Sequence, residues 1–226
     1  EISEIDDTII IEDQFSIYFN DCPVTTIIAS NDQLRELGAG FVITEGLTRR
    51  VDKVKLDGDR IYVYSDPGCD IPWSKKALGS SGGMSIQNEP GIISSDIHIT
   101  AEDVFSCTRE IETEVWRKTG AVHCSVLFNA GKCLVKSSDV GRHNTVEKVV
   151  GHAILNGVDL SQCIIGCTGR QPAGMVKKDA NAGIPVVISR AASTDKGIAT
   201  AQKAGITLVC FSRGDRFTIY THPERI

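Results

Sequence analysis

The densest grouping of reactive side chains is Ser137-Ser138-Asp139-Val140-Gly141-Arg142-His143-Asn144, with an acid, a glycine, an arginine, a histidine and an asparagine inside six residues. The apolar run Cys133-Leu134-Val135-Lys136 before it reads as a short strand, and Val146, Val149, Val150, Ala153 and Ile154 after it fall at helical spacing. A strand turning into a helix presents free helical amides and a positive dipole end, which suit an anion, and Arg142 adds a cation. Ser138 or Asp139 can accept bonds from the first helical amides, and Gly141 lets the backbone turn tightly. An ordinary capped helix with a solvated arginine would share this local pattern, so the wider arrangement has to decide.

Three more turns carry the same chemistry: Thr168-Gly169-Arg170, Ser189-Arg190-Ala191-Ala192-Ser193-Thr194 and Phe211-Ser212-Arg213-Gly214-Asp215-Arg216. Together they place five arginines (142, 170, 190, 213 and 216) at successive strand ends of a chain whose net charge is -5. The planar guanidinium fork matches phosphate bidentately, so the row predicts a phosphate-bearing nucleotide or cofactor large enough to touch several. His123, beside Cys124, starts the first strand of this region, where a lone histidine is more often structural. Cys124 raises the possibility of a metal or a nucleophile, but no His/Cys/Asp set has tetrahedral spacing, and no metal site is predicted.

The elements that must hold these turns alternate. Strands are predicted over 121–128, 132–136, 163–167, 185–189 and 206–211, and helices over 142–156, 172–182 and 194–204, with Gly157, Gly183 and Gly205 just past the helix ends. Such alternation predicts an α/β fold with a mainly parallel sheet, whose ligands bind beyond the carboxyl ends of the strands. A helix over 101–118, capped by Thr100 with Asp103 at the capping-box position, opens this lobe. Upstream, strands are predicted over 8–11, 15–19 and 24–29, then a helix capped by Asn31 or Asp32 that ends near Glu45-Gly46. A hairpin over 51–56 and 60–64 turns at Asp57-Gly58. Thr44-Glu45-Gly46 is read as a plain helix end. The chain thus divides into a small α+β lobe (1–78), a flexible glycine/serine loop and linker (79–98) and the larger lobe (99–226).

At 226 residues, with 41% hydrophobic and 23% charged residues, the chain is long enough for one large domain or a domain with a smaller lobe. No apolar run approaches the ~20 residues needed to cross a bilayer. The acidic start, Glu1-Ile2-Ser3-Glu4-Ile5-Asp6-Asp7, lacks the basic and apolar regions of a signal peptide. The negative balance argues against a nucleic-acid partner. Eight cysteines without secretion signals are expected to be reduced thiols in a cytoplasmic protein, with Cys163 and Cys167 buried in a strand.

Five stretches occur together in one family's order: Thr119-Gly120-x-x-His123; Asp139-Val140-Gly141-Arg142-His143-Asn144-x-x-x-Lys148; Thr168-Gly169-Arg170 with Ala182-Gly183-Ile184-Pro185-Val186; Gly205-Ile206-Thr207-Leu208; and Phe211-x-Arg213-x-x-Arg216-Phe217-x-Ile219-Tyr220-Thr221. Over about residues 34–222 the chain resembles the FdhD family of formate dehydrogenase accessory proteins. The resemblance implies a three-layer, cytidine-deaminase-like larger lobe and a cytoplasmic homodimer. It implies a sulfur carrier that takes a persulfide from a cysteine desulfurase, binds bis(molybdopterin guanine dinucleotide) as cargo and serves the catalytic subunit of formate dehydrogenase. GDP or GTP would mimic the cargo. By the same resemblance Phe211, Ser212, Arg213, Gly214, Asp215 and Arg216 contact the cofactor, and His123, Asp139, Gly141, Arg142, His143, Asn144, Thr168, Gly169 and Arg170 complete its pocket.

One departure matters. The family's mobile loop holds C-G-x-C-G, whereas this chain reads Ser80-Ser81-Gly82-Gly83-Met84-Ser85. A serine hydroxyl such as that of Ser81 cannot carry a persulfide, because sulfur relay needs a polarizable thiolate that attacks and leaves. Cys69 and Cys124 are the remaining candidates for that step. The preferred reading keeps cofactor binding and delivery with the sulfur step lost or altered; the alternative is a guanine-nucleotide-binding regulatory module. A deaminase-type zinc hydrolase would need H-x-E or C-x-E and P-C-x-x-C, which the chain lacks.

Overall fold

The computed structural model describes residues 2–66, 76–78, 84–86 and 91–226. Cys69 and Ser80 to Gly83 lie outside the described residues. A first sheet is built from β1 (Asp13–Phe19), β2 (Cys22–Ala29), β3 (Lys53–Asp57) and β4 (Arg60–Tyr64) in the order β2-β1-β4-β3. Phe15, Ile17 and Phe19 alternate inward along β1, the two-residue period of a half-buried strand. Gly58, at φ 59°, makes the tight turn between β3 and β4 as predicted. Residues 8–11 form no strand, contrary to expectation. Their β propensity has no ladder to join: Ile9 and Ile11 are exposed and only Ile10 packs against the core. A short pair, β5 (Lys76–Leu78) and β6 (Met84–Ile86), stands apart in sequence between the two sheets.

The second sheet runs β12-β11-β10-β9-β7-β8, with β7 (His123–Asn129), β8 (Lys132–Asp139), β9 (Ile164–Cys167), β10 (Val186–Ser189), β11 (Thr207–Arg213) and β12 (Arg216–Thr221). The predicted mainly parallel sheet is parallel only at its centre, through β9-β10-β11; β7-β8, β7-β9 and β11-β12 are antiparallel. Ala130 and Gly131, both at positive φ, close the β7-β8 hairpin in two residues, and so short a connection admits only antiparallel pairing. β12, unpredicted as a strand, forms the second flanking hairpin.

Three layers result. Ile165, Val187 and Leu208 point to one face of the sheet and join the core that includes α4 (Arg142–Leu155), α5 (Ala173–Asn181) and α6 (Asp195–Ala204). Ile164, Val186, Ile188 and Val209, one residue out of phase, join the opposite core with Val104, Cys107 and Ile111. That second core lies under α2 (Ala101–Glu110), whose cap is the predicted reciprocal box between Thr100 and Asp103. The predicted 101–118 helix breaks after α2, and Thr113 re-caps the short α3 (Glu114–Thr119) by accepting from the Trp116 amide at 3.2 Å. Gly157, Gly183 and Gly205 follow their helices at φ 66°, 77° and 74°, as their positions predicted. Residues at the end of the expected linker are fastened to the larger lobe, through Ile93 N to the Ala204 carbonyl and Ser95 Oγ to the Ser161 carbonyl. Among the described residues no helix is long and apolar enough to span a membrane, and seven cysteines are free thiols.

Helix α1 (Leu34–Thr44) of the small lobe packs directly on α4, and the two lobes share one core. Neither Asn31 nor Asp32 caps α1; Gln33 is its N-cap in the left-handed region with no side-chain cap bond, because Asp32 is drawn to Lys148. Glu45 is likewise more than the predicted helix end. Lys178 of α5 is buried between Glu45 and Glu147 of α4, 2.6 Å from the latter. Burial pulls the Lys178 pKa down, but the two carboxylates overcome this and raise it, so the ammonium stays charged.

Next to this ion group, the Asp179 carboxylate is 1% exposed and both its oxygens lack a hydrogen-bond partner. Burial, opposed by the Lys178 charge, pushes its pKa up to about 8 from 3.8. The raised folded-state value means stability is fully present below the unfolded pKa and is lost as pH rises towards 8. Asp179→Asn is therefore expected to flatten the fall of the unfolding free energy, from urea titrations between pH 5 and 8, by on the order of 1 kcal/mol per pH unit. An unchanged slope would show that Asp179 does not hold that proton.

Candidate functional site

The mixed topology gathers the arginines at one edge by a route that a parallel sheet would not use. β8, β9, β10 and β11 bring their carboxyl ends there, and the antiparallel β7 and β12 bring their amino ends. Register pairs His123 with Asp139 and Arg213 with Arg216 across that edge. A cavity of about 500 Å³, within the usual span of small-molecule pockets, opens at the same place. Trp116 of α3 and the segment from Gly120 to His123 form one wall, Val140 and Thr168 contribute strand-end surface, and Arg190 and Arg213 supply the positive charge.

Of the five arginines, Arg190 and Arg213 line this cavity. Arg213 donates from Nε to the Arg190 carbonyl at 2.8 Å, which fixes the two guanidinium-bearing turns side by side. Burial and the charge of Arg213 lower the Arg190 pKa. Arg142 is half-buried with its stem against Gly169, where an added Cβ would lie 3.1 Å from the Arg142 Cβ. Arg170 and Arg216 are exposed outside the lining. Convergence on a common edge therefore holds for all five, and convergence on a common cavity for two.

The Asp139–Asn144 turn does different work from that predicted. Asp139 is fully buried: Oδ1 accepts from the Gly141 amide at 2.8 Å and Asn144 Nδ2 at 2.7 Å, and Oδ2 from the Ser30 amide at 3.0 Å and Lys148 at 2.8 Å. Asn144 also donates to the Ile28 carbonyl, and the 0%-exposed Lys148 pairs with Asp32. Asn144 Nδ2 and Lys148 Nζ thereby stitch the small lobe to the edge. Gly141 is the N-cap of α4 without a side-chain cap, so neither Ser138 nor Asp139 caps the helical amides as expected. Ser138 bonds Thr113 Oγ1 instead, at 2.6 Å.

Of the remaining predicted residues, His123 lines the cavity and its Nδ1 is 3.2 Å from Thr168 Oγ1. That hydroxyl accepts from the Cys124 amide at 3.0 Å and faces the Cys124 carbonyl at 3.5 Å, so Thr168 ties the histidine ring to the start of β7. Burial and the Arg142 charge lower the His123 pKa, and burial with Lys178 and Arg142 takes His143 down to about 3, so both are neutral at pH 7. Ser212 is buried against Thr108 Oγ1 at 2.5 Å, turned to α2 rather than to the cavity. Phe211 is 41% exposed at φ 51°, in an irregularity of β11 at the edge, and Gly214 and Asp215 form the exposed tip beside it. Trp116 and its neighbour Glu112 escaped sequence reading, since nothing sets them apart in an amphipathic helix pattern.

Thiol chemistry is restricted at the buried cysteines, while Cys22 is exposed and Cys133 half-buried. Cys124 is 0% exposed and enclosed by Thr113 Oγ1 at 3.2 Å and Ser138 Oγ at 3.7 Å, so a donor cannot reach it in this conformation. Burial pushes Cys163 up to about 11 and Cys167 and Cys210 up to about 12, which makes them inert at neutral pH. Among the described residues no group of His, Cys, Asp and Glu is arranged to hold a metal.

Fold and edge together define an α/β protein with a cationic strand-end pocket. The chain belongs to the FdhD/NarQ family, whose pattern it matches over residues 10–226. It is 32% identical over 219 residues to Protein FdhD of Methanocaldococcus jannaschii, covering 96% of this chain and 90% of that one. It is 35% identical over 207 residues to the sulfur carrier protein FdhD of Methanothermobacter thermautotrophicus, covering 88% and 83%. A crystal structure from Desulfotalea psychrophila, assigned as a formate dehydrogenase accessory protein, superposes with a TM-score of 0.84 at 31% identity, over 99% of this chain and 93% of that one.

Proposed function

We propose that this protein is an accessory factor in formate dehydrogenase maturation that binds the bis(molybdopterin guanine dinucleotide) cofactor at its strand-end pocket and delivers it. The pairing of Arg190 with Arg213 on one cavity wall carries the reading, because two adjacent guanidinium groups in a chain of net charge -5 favour a diphosphate. The cavity of about 500 Å³ suits one nucleotide end, and the remainder of so large a cargo would lie outside it. His123 would offer a neutral imidazole from the cavity wall, and Phe211 an exposed ring at the same sheet edge.

Family kinship supports sulfur carriage from a cysteine desulfurase to the cargo, but the stretch Ser80-Ser81-Gly82-Gly83-Met84-Ser85 of this chain holds no cysteine to carry it. Cofactor holding and delivery to the catalytic subunit is the function its residues favour. Calorimetry with GDP tests the binding. Wild type is expected to bind, and Arg213→Ala to bind about 10-fold more weakly through loss of a charged hydrogen bond. No binding by wild type, or equal binding by the variant, would overturn the reading. Affinity for GDP without any gain for the full pterin dinucleotide would favour the nucleotide-binding regulatory module instead.

A further inference from the structure

The cationic wall of the pocket already holds an anion of the protein's own. Arg190 Nη1 is ion-paired with Oε1 of Glu112, a residue at the α2-α3 break, and the Arg190 guanidinium lies over the Trp116 ring with Cζ 5.9 Å from its centroid. The other Glu112 oxygen is 3.8 Å from Arg117 Nε. With side chains 30% and 22% exposed, Arg190 and Glu112 form a pair that water reaches, and such pairs are held weakly enough to exchange. Arg213 stands alongside, its charge uncompensated by that carboxylate and repelling Arg190.

We infer that the Glu112 carboxylate is a tethered stand-in for a ligand phosphate, a specificity-determining residue that only a phosphate-bearing ligand displaces and that promotes release by returning to Arg190. The inference rests on the binding function proposed above and adds how the site discriminates and lets go. A neutral nucleoside has nothing to exchange for the ion pair. A single negative charge replaces Glu112 like for like and must shed its own hydration to do so. A diphosphate spans Arg190 and Arg213, cancels their mutual repulsion and frees Glu112 into water. A carrier must surrender its cargo, and a carboxylate that competes for the same guanidinium shortens the residence time without a separate trigger.

The test is made in a Trp73→Phe background, which leaves Trp116 as the sole tryptophan of the two in the chain. Wild type and Glu112→Gln are titrated with GDP, guanosine and inorganic pyrophosphate, by calorimetry and by Trp116 emission, with GDP dissociation followed by stopped flow. Glu112→Gln is expected to bind GDP about fivefold more tightly, mainly through slower dissociation, and to leave guanosine unchanged. Trp116 emission is expected to shift when pyrophosphate or GDP draws Arg190 away in wild type, and to start from the shifted position in the variant. The pyrophosphate titration with Glu112 intact does not depend on Glu112→Gln and stands even if that substitution impairs folding. Weaker or unchanged GDP binding by Glu112→Gln, an equal gain for guanosine, or silent Trp116 emission would overturn the inference while leaving the binding function intact. Failure of wild type to bind GDP or pyrophosphate would remove both.

Discussion

Gly40→Ala and Gly151→Ala are each expected to destabilise the protein by about 3–5 kcal/mol, far outside the range of a surface substitution. Helix propensity alone predicts the opposite, since alanine is favoured over glycine in a helix interior by about 1 kcal/mol. Packing reverses the sign. A Cβ on Gly40 would lie 1.7 Å from the Glu147 carbonyl oxygen, and one on Gly151 would lie 1.8 Å from the Glu36 carbonyl oxygen. The obstacles are backbone atoms of the facing helix, so no side chain can rotate aside and α1 and α4 must separate. Separation would also pull on Glu45 and Glu147, which share the Lys178 ammonium across the same interface. Gly174 is the control: it is an exposed helical glycine with nothing within 4 Å of an added Cβ, and Gly174→Ala is expected to stabilise by about 0.5–1 kcal/mol. Urea unfolding of the three variants checks the claim, and three small gains would show that the helix crossing is looser than described.

Strands and helices of the larger lobe were legible because each is short, apolar on the face that packs, and closed by a glycine that can take positive φ. Direction was not legible. Nothing in the composition of residues 121–139 distinguishes a crossover from a hairpin except Ala130-Gly131, two residues whose positive φ values close a tight turn. The arginine edge survived that error for a geometric reason: reversing β7 swaps which of its ends meets the edge, and the turns with Arg190 and Arg213 belong to strands whose direction was read correctly. Residues 8–11 misled because β propensity registers side-chain shape and not the presence of a partner strand. Glu45, Glu112 and Asp32 were invisible as site or network residues because each finds its cation far along the chain, in Lys178, Arg190 and Lys148. Long-range charge pairing leaves no local spacing to read.

The second large effect separates the two roles that the Asp139–Asn144 turn could play. Asp139→Ala is expected to cost about 3–5 kcal/mol, because it takes from the 0%-exposed Lys148 ammonium its buried carboxylate, leaving only the exposed Asp32, and leaves the Ser30 and Gly141 amides and the Asn144 carboxamide short of an acceptor. If Asp139 instead served the ligand directly, as its place in the family motif suggests, the variant would lose affinity with little loss of stability. The structure favours the first outcome, since both carboxylate oxygens are spent on protein donors and the side chain has no exposed surface. Adding Lys148→Met to Asp139→Leu sharpens the comparison: removing both charges is expected to recover a substantial part of the loss, as replacing a whole buried pair does and breaking it does not. GDP titration of the double variant, where it remains folded, then reads the pocket alone. Retained affinity would establish the turn as a clasp joining the small lobe to the arginine edge. Affinity abolished in a stable double variant would return Asp139 to the binding surface, and would mean that Arg190 and Arg213 do not hold the ligand without it.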